Sequence, residues 1–249
     1  MAERKILLKV AYDGRGYGGW AVQPDKPTIQ GLLQEAVKSL VGHKVLVLGA
    51  SRTDARVSAL GQSAMFTTTC PIPTENFAKA ISDRLPDDIE IIEAVEAPKN
   101  FDPIGGVKNK MYRYSIYTGK KKPVLNIHHC WHFPEQLDAA SMNEAAKLLV
   151  GEKDFKSFAA ADDKRKSSVR TIFRSEVTSR GDWVFYEVEG SGFLYNMVRN
   201  IVGTLVEVGR GRWQPQKINE ILEAKTRTAA GTLAPASGLC LMWIKYGER

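Results

Sequence analysis

Cysteine is scarce in this chain. Three residues, Cys70, Cys130 and Cys240, lie far apart, with no C-x-x-C pair, so neither a disulfide framework nor a zinc ribbon is indicated and a reducing cytoplasm is the expected compartment. Long apolar runs are missing too. No stretch reaches the roughly 20 residues needed to cross a bilayer, and Met1-Ala2-Glu3-Arg4-Lys5 leads straight into a short alternating run rather than an export signal. No membrane association is therefore expected. Histidine numbers four in 249 residues, three of them in His128-His129-Cys130-Trp131-His132. Neighbouring side chains of an extended segment point to opposite faces, so this run does not converge on one ion without help, and no metal site is expected. A P-loop and a Ser-His-Asp order are also missing. Acidic residues are outnumbered: 35 Lys and Arg against 28 Asp and Glu leave a formal charge of +7, which favours a polyanionic partner without naming it.

What is present is a regular alternation of elements. Lys5 to Tyr12 reads as a mostly buried strand. From Thr28 to Leu40 the apolar residues Ile29, Leu32, Leu33, Ala36, Val37 and Leu40 recur at the spacing of an amphipathic helix, with Thr28 placed to cap it. Strands are predicted at Lys44 to Leu48, Gln62 to Thr68 and Ile89 to Val95, with a helix from Thr74 to Leu85 stopped by Pro86. The order is β-α-β-β-α-β. After Pro103 it resumes: a strand at Met111 to Tyr117, a helix at Ala139 to Leu149, strands at Thr171 to Thr178 and Trp183 to Glu189, helices at Phe193 to Val208 and Gln216 to Ala224, and a strand at Leu241 to Tyr246. With one extra helix this is β-α-β-β-α-β again. The expected fold is α+β, with two ferredoxin-like halves forming a pseudo-repeat around a mainly antiparallel sheet with a central cleft. The division falls near residue 105, giving an N-terminal half 1–105 and a C-terminal half 106–249. The Lys-rich loops Gly119 to Pro134 and Ala160 to Ser168 lack periodicity.

Gly14-Arg15-Gly16-Tyr17-Gly18-Gly19 has the G-x-G-x-x-G spacing of a dinucleotide-binding turn. That turn must open a helix, and Pro24 and Pro27 follow too soon for one. A flexible, glycine-permitted loop is the better reading, and a nucleotide cofactor is not expected. Its Arg15, Tyr17, Trp20 and Gln23 still carry guanidinium, aromatic and amide groups suited to RNA. Between two predicted strands lies Ala50-Ser51-Arg52-Thr53-Asp54-Ala55-Arg56-Val57. An acid among arginines is most often a surface ion pair worth about 0 to 1 kcal/mol. A carboxylate kept ionised by a guanidinium is equally what a nucleophilic or general-base aspartate requires, and spacing alone does not choose. Basic residues recur later: Lys120-Lys121-Lys122, Lys164-Arg165-Lys166, Arg170, Arg210 and Arg212. Such runs are usually solvated faces, yet several lie beside aromatic residues and suit a phosphate backbone. Arg199 differs, because it falls within an apolar predicted helix, where a charge is costly unless snorkelling or paired; a buried carboxylate, with Asp54 as candidate, would explain it.

Taken together, these segments resemble the tRNA pseudouridine synthase A family over nearly the whole chain. The matching pieces run in family order: Tyr12-Asp13-Gly14, Gly19-Trp20, Gln23, Thr28-Ile29-Gln30, Arg52-Thr53-Asp54-Ala55, Gly61-Gln62, Leu85-Pro86, Phe101 and Tyr112-Arg113-Tyr114. Asp154-Phe155, Ser157-Phe158, Arg170, Phe193-Leu194, Met197-Val198-Arg199, Gly203, Leu205, Gly209, Ala234-Pro235 and Gly238-Leu239 continue it. The resemblance implies an enzyme that isomerises uridine to pseudouridine in the tRNA anticodon stem-loop, at tRNA positions 38 to 40, without metal or cofactor. It implies Asp54 as the nucleophile, attacking either the uracil ring or the ribose C1′. It also implies Tyr112 stacking on the target base, Arg199 paired with the aspartate, Arg52 at the substrate, and a homodimer whose active site lies in the cleft between two ferredoxin-like halves. Arg15, Tyr17, Trp20, Gln23, Arg56 and Arg170 are the expected RNA contacts.

Two departures stand out. The family pattern continues Asp-Ala-Gly-Val-His, where this chain has Asp54-Ala55-Arg56-Val57-Ser58. If that glycine adopts a positive φ, Arg56 strains the loop, unless it repays the strain at a phosphate. The family also places an arginine three residues after Phe101, where this chain has Ile104. These departures motivate a competing expectation, a non-catalytic RNA-binding relative with a degenerate site.

Overall fold

The computed structural model describes residues 2–163 and 165–247, so the predicted basic residue Lys164 lies outside the described residues. The chain divides into two compact units, one made of Met1–Lys108 with Leu241–Arg249, the other of Asn109–Cys240. The fold is α+β with mainly antiparallel strand pairing.

The first unit contains β1 (Arg4–Tyr12), α1 (Ile29–Val41), β2 (Leu48–Gly49), β3 (Ser58–Thr68), α2 (Thr74–Ser82) and β4 (Ile89–Ala97). Its sheet runs β4-β1-β3, with β2 also on β3. Period-two alternation in β1 sends Ile6, Leu8, Val10 and Tyr12 to the buried face, each at most 4% exposed. The apolar stripe of α1 reaches the core through Ile29, Leu33, Ala36 and Val37, and Phe77 of α2 meets Phe66 of β3 edge to face at 5.6 Å. Thr28 holds the N-cap position of α1 without a side-chain capping bond; its carbonyl accepts from Leu32 N–H at 3.1 Å. A smaller apolar layer of Leu7, Met65 and Ala97, with Phe101 and Tyr246, packs on the opposite face.

The second unit contains β5 (Val107–Tyr117), β6 (Trp131–His132), α3 (Ala139–Lys147), β7 (Gly151–Asp154), β8 (Val169–Arg180), β9 (Trp183–Gly190), α4 (Met197–Gly209) and α5 (Lys217–Ala224). Its sheet order is β5-β9-β8-β7, with β6 parallel to β5. Tyr112, Tyr114 and Ile116 of β5 alternate into the core with Val184, Tyr186 and Val188 of β9. The last strand, β10, is Leu239–Tyr246.

Three local expectations are corrected. Only Leu48 of the predicted Lys44 to Leu48 strand is β. The amide side chains of α1 take over the backbone groups there, with Gln30 Nε2 donating to Val47 O at 2.7 Å and Val47 N–H donating to Gln34 Oε1 at 3.3 Å. Helix α2 ends at Ser82, ahead of Pro86, because Arg84 and Leu85 N–H turn back to Ile81 and Ser82 carbonyls. Helix α4 starts at Met197 rather than Phe193, since Asn196 sits in the left-handed region at φ 61°. The short strands β6 and β7 carry no alternation long enough to be read from sequence. Among the described residues, no helix is long and apolar enough to cross a membrane.

Candidate active site

Asp54 lies in the loop between β2 and β3, and the backbone of this loop is held from both sides. Trp20 N–H donates to Thr53 O at 3.1 Å, and Val57 N–H closes a turn onto Asp54 O at 3.1 Å. The hydroxyls of Tyr12 and Thr53 are 2.8 Å apart. Gln62, fully buried, donates from Nε2 to Ser51 O at 2.6 Å. Two glycines let neighbouring chain press against the loop. Gly19 has φ 103°, and a Cβ there would stand 2.7 Å from Thr53 O and 3.0 Å from the Asp54 carbonyl carbon; one on Gly14 would stand 2.1 Å from Val57 O. The segment Gly14 to Gly19 is accordingly a tied-down turn rather than the flexible loop expected. Tyr12, Gly14, Gly19-Trp20 and Gln62, scattered in sequence, all bear on the Ser51 to Val57 loop, in which Asp54 is half-buried.

The side chains expected to touch RNA fall into two groups. Trp20 is 2% exposed, with its indole where a Cβ on Gly49 would otherwise be, so it is a core residue here. Tyr17 is also buried, and its hydroxyl donates to Asp88 Oδ1 at 2.5 Å. Burial and that carboxylate push its pKa up. The Gln23 amide donates to Gly18 O at 2.8 Å, and Arg15 pairs with Asp13 at 2.8 Å, both at the surface. Arg52 and Arg56 are exposed on either side of Asp54. Arg56 does have a positive φ, 67°, so the glycine of the family pattern is replaced where glycine is the relaxed choice. Ile104 is 58% exposed.

In the second unit, Tyr112 of β5 faces Val188 of β9 and is 6% exposed. Its ring meets Phe193 edge-on, with centroids 5.3 Å apart and planes at 90°. Arg199 stands in the first turn of α4 and is half-buried. Its Nε donates to Ala234 O at 2.7 Å and its Nη1 to Asn196 Oδ1 at 3.1 Å. Those two bonds set the plane of a half-buried guanidinium. Close packing supplies the acceptor: a Cβ on Gly203 would lie 1.7 Å from Thr232 O, and Tyr114 donates to Pro235 O at 2.7 Å. Arg170, on β8, donates from Nη1 to Ser167 O and Val169 O at 3.0 and 2.6 Å. His132 Nε2 lies 2.9 Å from Gly119 O, and Cys130 is buried, which raises its thiol pKa. Among the described residues no three His, Cys, Asp or Glu side chains gather as metal ligands.

Phe193, Asn196 and Lys110 carry no site role that is legible in the sequence alone. Phe193 had a signal in its motif, whereas Asn196 is identified only by its left-handed backbone.

A family model described as tRNA pseudouridine synthase matches residues 9–104 and 145–247. The chain is 43% identical over 243 residues to the tRNA pseudouridine synthase A of Caldicellulosiruptor bescii, covering 98% of this chain and 100% of that one. It is 42% identical over 244 residues to the protein of the same name from Anoxybacillus flavithermus, covering 98% and 99%. Both matches run through the Asp54 loop and the Tyr112 and Arg199 segments. The chain belongs to the tRNA pseudouridine synthase family.

Proposed function

We propose that this protein isomerises uridine to pseudouridine in tRNA, within the anticodon stem-loop at positions 38 to 40, with Asp54 as the nucleophile. The reaction breaks the C1′–N1 bond and forms C1′–C5; one proton leaves C5 and one is gained at N1, so no oxidant or reductant is consumed. The observation that carries the reading is the Asp54 loop itself, its backbone bonded to Trp20 and Val57 and packed by Gly14 and Gly19. A carboxylate positioned in advance loses little order on meeting a substrate. Tyr112 stacks on the displaced base, with such stacking worth about 1 to 3 kcal/mol against an unstacking cost of similar size. Arg199, its plane set by Ala234 and Asn196, presents a fixed guanidinium to the substrate. Arg52, Arg56, Arg15 and Arg170 are available to the RNA backbone. The working form is a cytoplasmic homodimer.

Purified protein incubated with unmodified tRNA should generate pseudouridine at those positions. Tight tRNA binding with no product would instead support RNA binding without turnover, the reading favoured by Arg56 and Ile104.

A further inference from the structure

Lys110 has no role so far, yet it occupies a telling place. It lies two residues before Tyr112 on β5, hence on the same face of the sheet and about 7 Å along the strand. Its cross-strand partner is Gly190 of β9, which in turn faces Ile172 of β8. Glycine puts no side chain between Lys110 and Arg170, which stands two residues before Ile172 on that same face. Arg170 is half-buried and held by Ser167 O and Val169 O, with its Nε 3.9 Å from where a Cβ on Gly192 would be. Arg165, on the adjoining loop, is fixed by Asp163 at 2.7 Å, and Asp163 in turn accepts from Tyr195 N–H at 2.9 Å. Both arginine charges oppose the Lys110 ammonium, and Arg165 opposes Arg170.

We infer that Lys110, Arg165 and Arg170 form a clasp for one RNA phosphodiester, next to Tyr112, that anchors the nucleotide being modified. Collecting like charges on a partly desolvated sheet end disfavours the empty state, and a bound phosphate relieves it. The burial and the two arginines push the Lys110 ammonium down to about 8. The charged groups that act on it include Arg170 from β8 and Arg165 from the loop; Asp163 holds Arg165, and Glu189 of β9 is engaged by Asn109.

The inference rests on tRNA as substrate and is tested with the wild type, K110Q and K110R. At pH 7, K110Q should raise KM for tRNA about tenfold and lessen the slope of log affinity against log salt by about 0.7 to 0.9. K110R should restore both, which also controls for folding. In the wild type KM should climb as pH passes about 8, whereas K110R, whose guanidinium stays charged, should remain level. Wild-type KM and salt slope in K110Q, or an equal alkaline climb in K110R, overturns the clasp. Inorganic phosphate that binds tightly while leaving KM for tRNA unchanged would mark a free-anion pocket and also overturn it. A wild type that makes no pseudouridine defeats the proposed activity instead, and tRNA Kd values of the three proteins still decide the role of Lys110.

Discussion

The loop around Asp54 and the segments carrying Tyr112 and Arg199 solve different physical problems. Around Asp54 the chain places an acid by backbone means: main-chain hydrogen bonds, a buried glutamine and two glycines that admit close approach. Around Arg199 it places a positive charge by side-chain means, through a guanidinium fork on one carbonyl and one amide oxygen. The first arrangement tolerates a change of side-chain chemistry but not of backbone. The second tolerates little change of the side chain itself.

The largest effect that separates the two is on turnover. D54N should lower kcat by on the order of 10⁴-fold or more while leaving the unfolding midpoint and tRNA affinity unaltered; substantial residual activity would remove Asp54 from the chemistry. Next is G19A, whose Cβ would meet Thr53 O at 2.7 Å from a φ of 103°. It should cost about 3 kcal/mol in denaturant unfolding and lower kcat as well, since the loop must shift. R199K keeps the charge but not the fork, so a loss of about 1 to 2 kcal/mol is expected, with reduced kcat. An R199K of wild-type stability would mean that the bonds to Ala234 and Asn196 do not hold the segment. The smallest effect has the opposite sign: R56G relaxes a residue at φ 67° and should stabilise by about 1 kcal/mol. If Arg56 also touches phosphate, R56G will weaken tRNA binding and flatten its salt dependence.

Much was legible beforehand. The helix at α1 was readable because six apolar residues share one face, and the strain at Arg56 because the family pattern has a glycine there. Other features were hidden by competition between neighbours distant in sequence. Val45 and Val47 look like strand residues, yet Gln30 and Gln34 hold the backbone of Val47. Trp20 looks like a base-stacking platform, but it fills the space beside Gly49. Asn196, in the left-handed region, delays the start of α4 and places Arg199 in its first turn rather than mid-helix.

The order of elements, the α+β class and the family motifs follow from local pattern alone, because hydrophobic period and turn chemistry act over a few residues. Which glycines bear on the Asp54 loop, which carbonyl holds Arg199, and the gathering of Lys110 with Arg165 and Arg170 were decided by the tertiary structure. Such contacts join residues tens of positions apart, and only the packed chain brings them within a few ångströms.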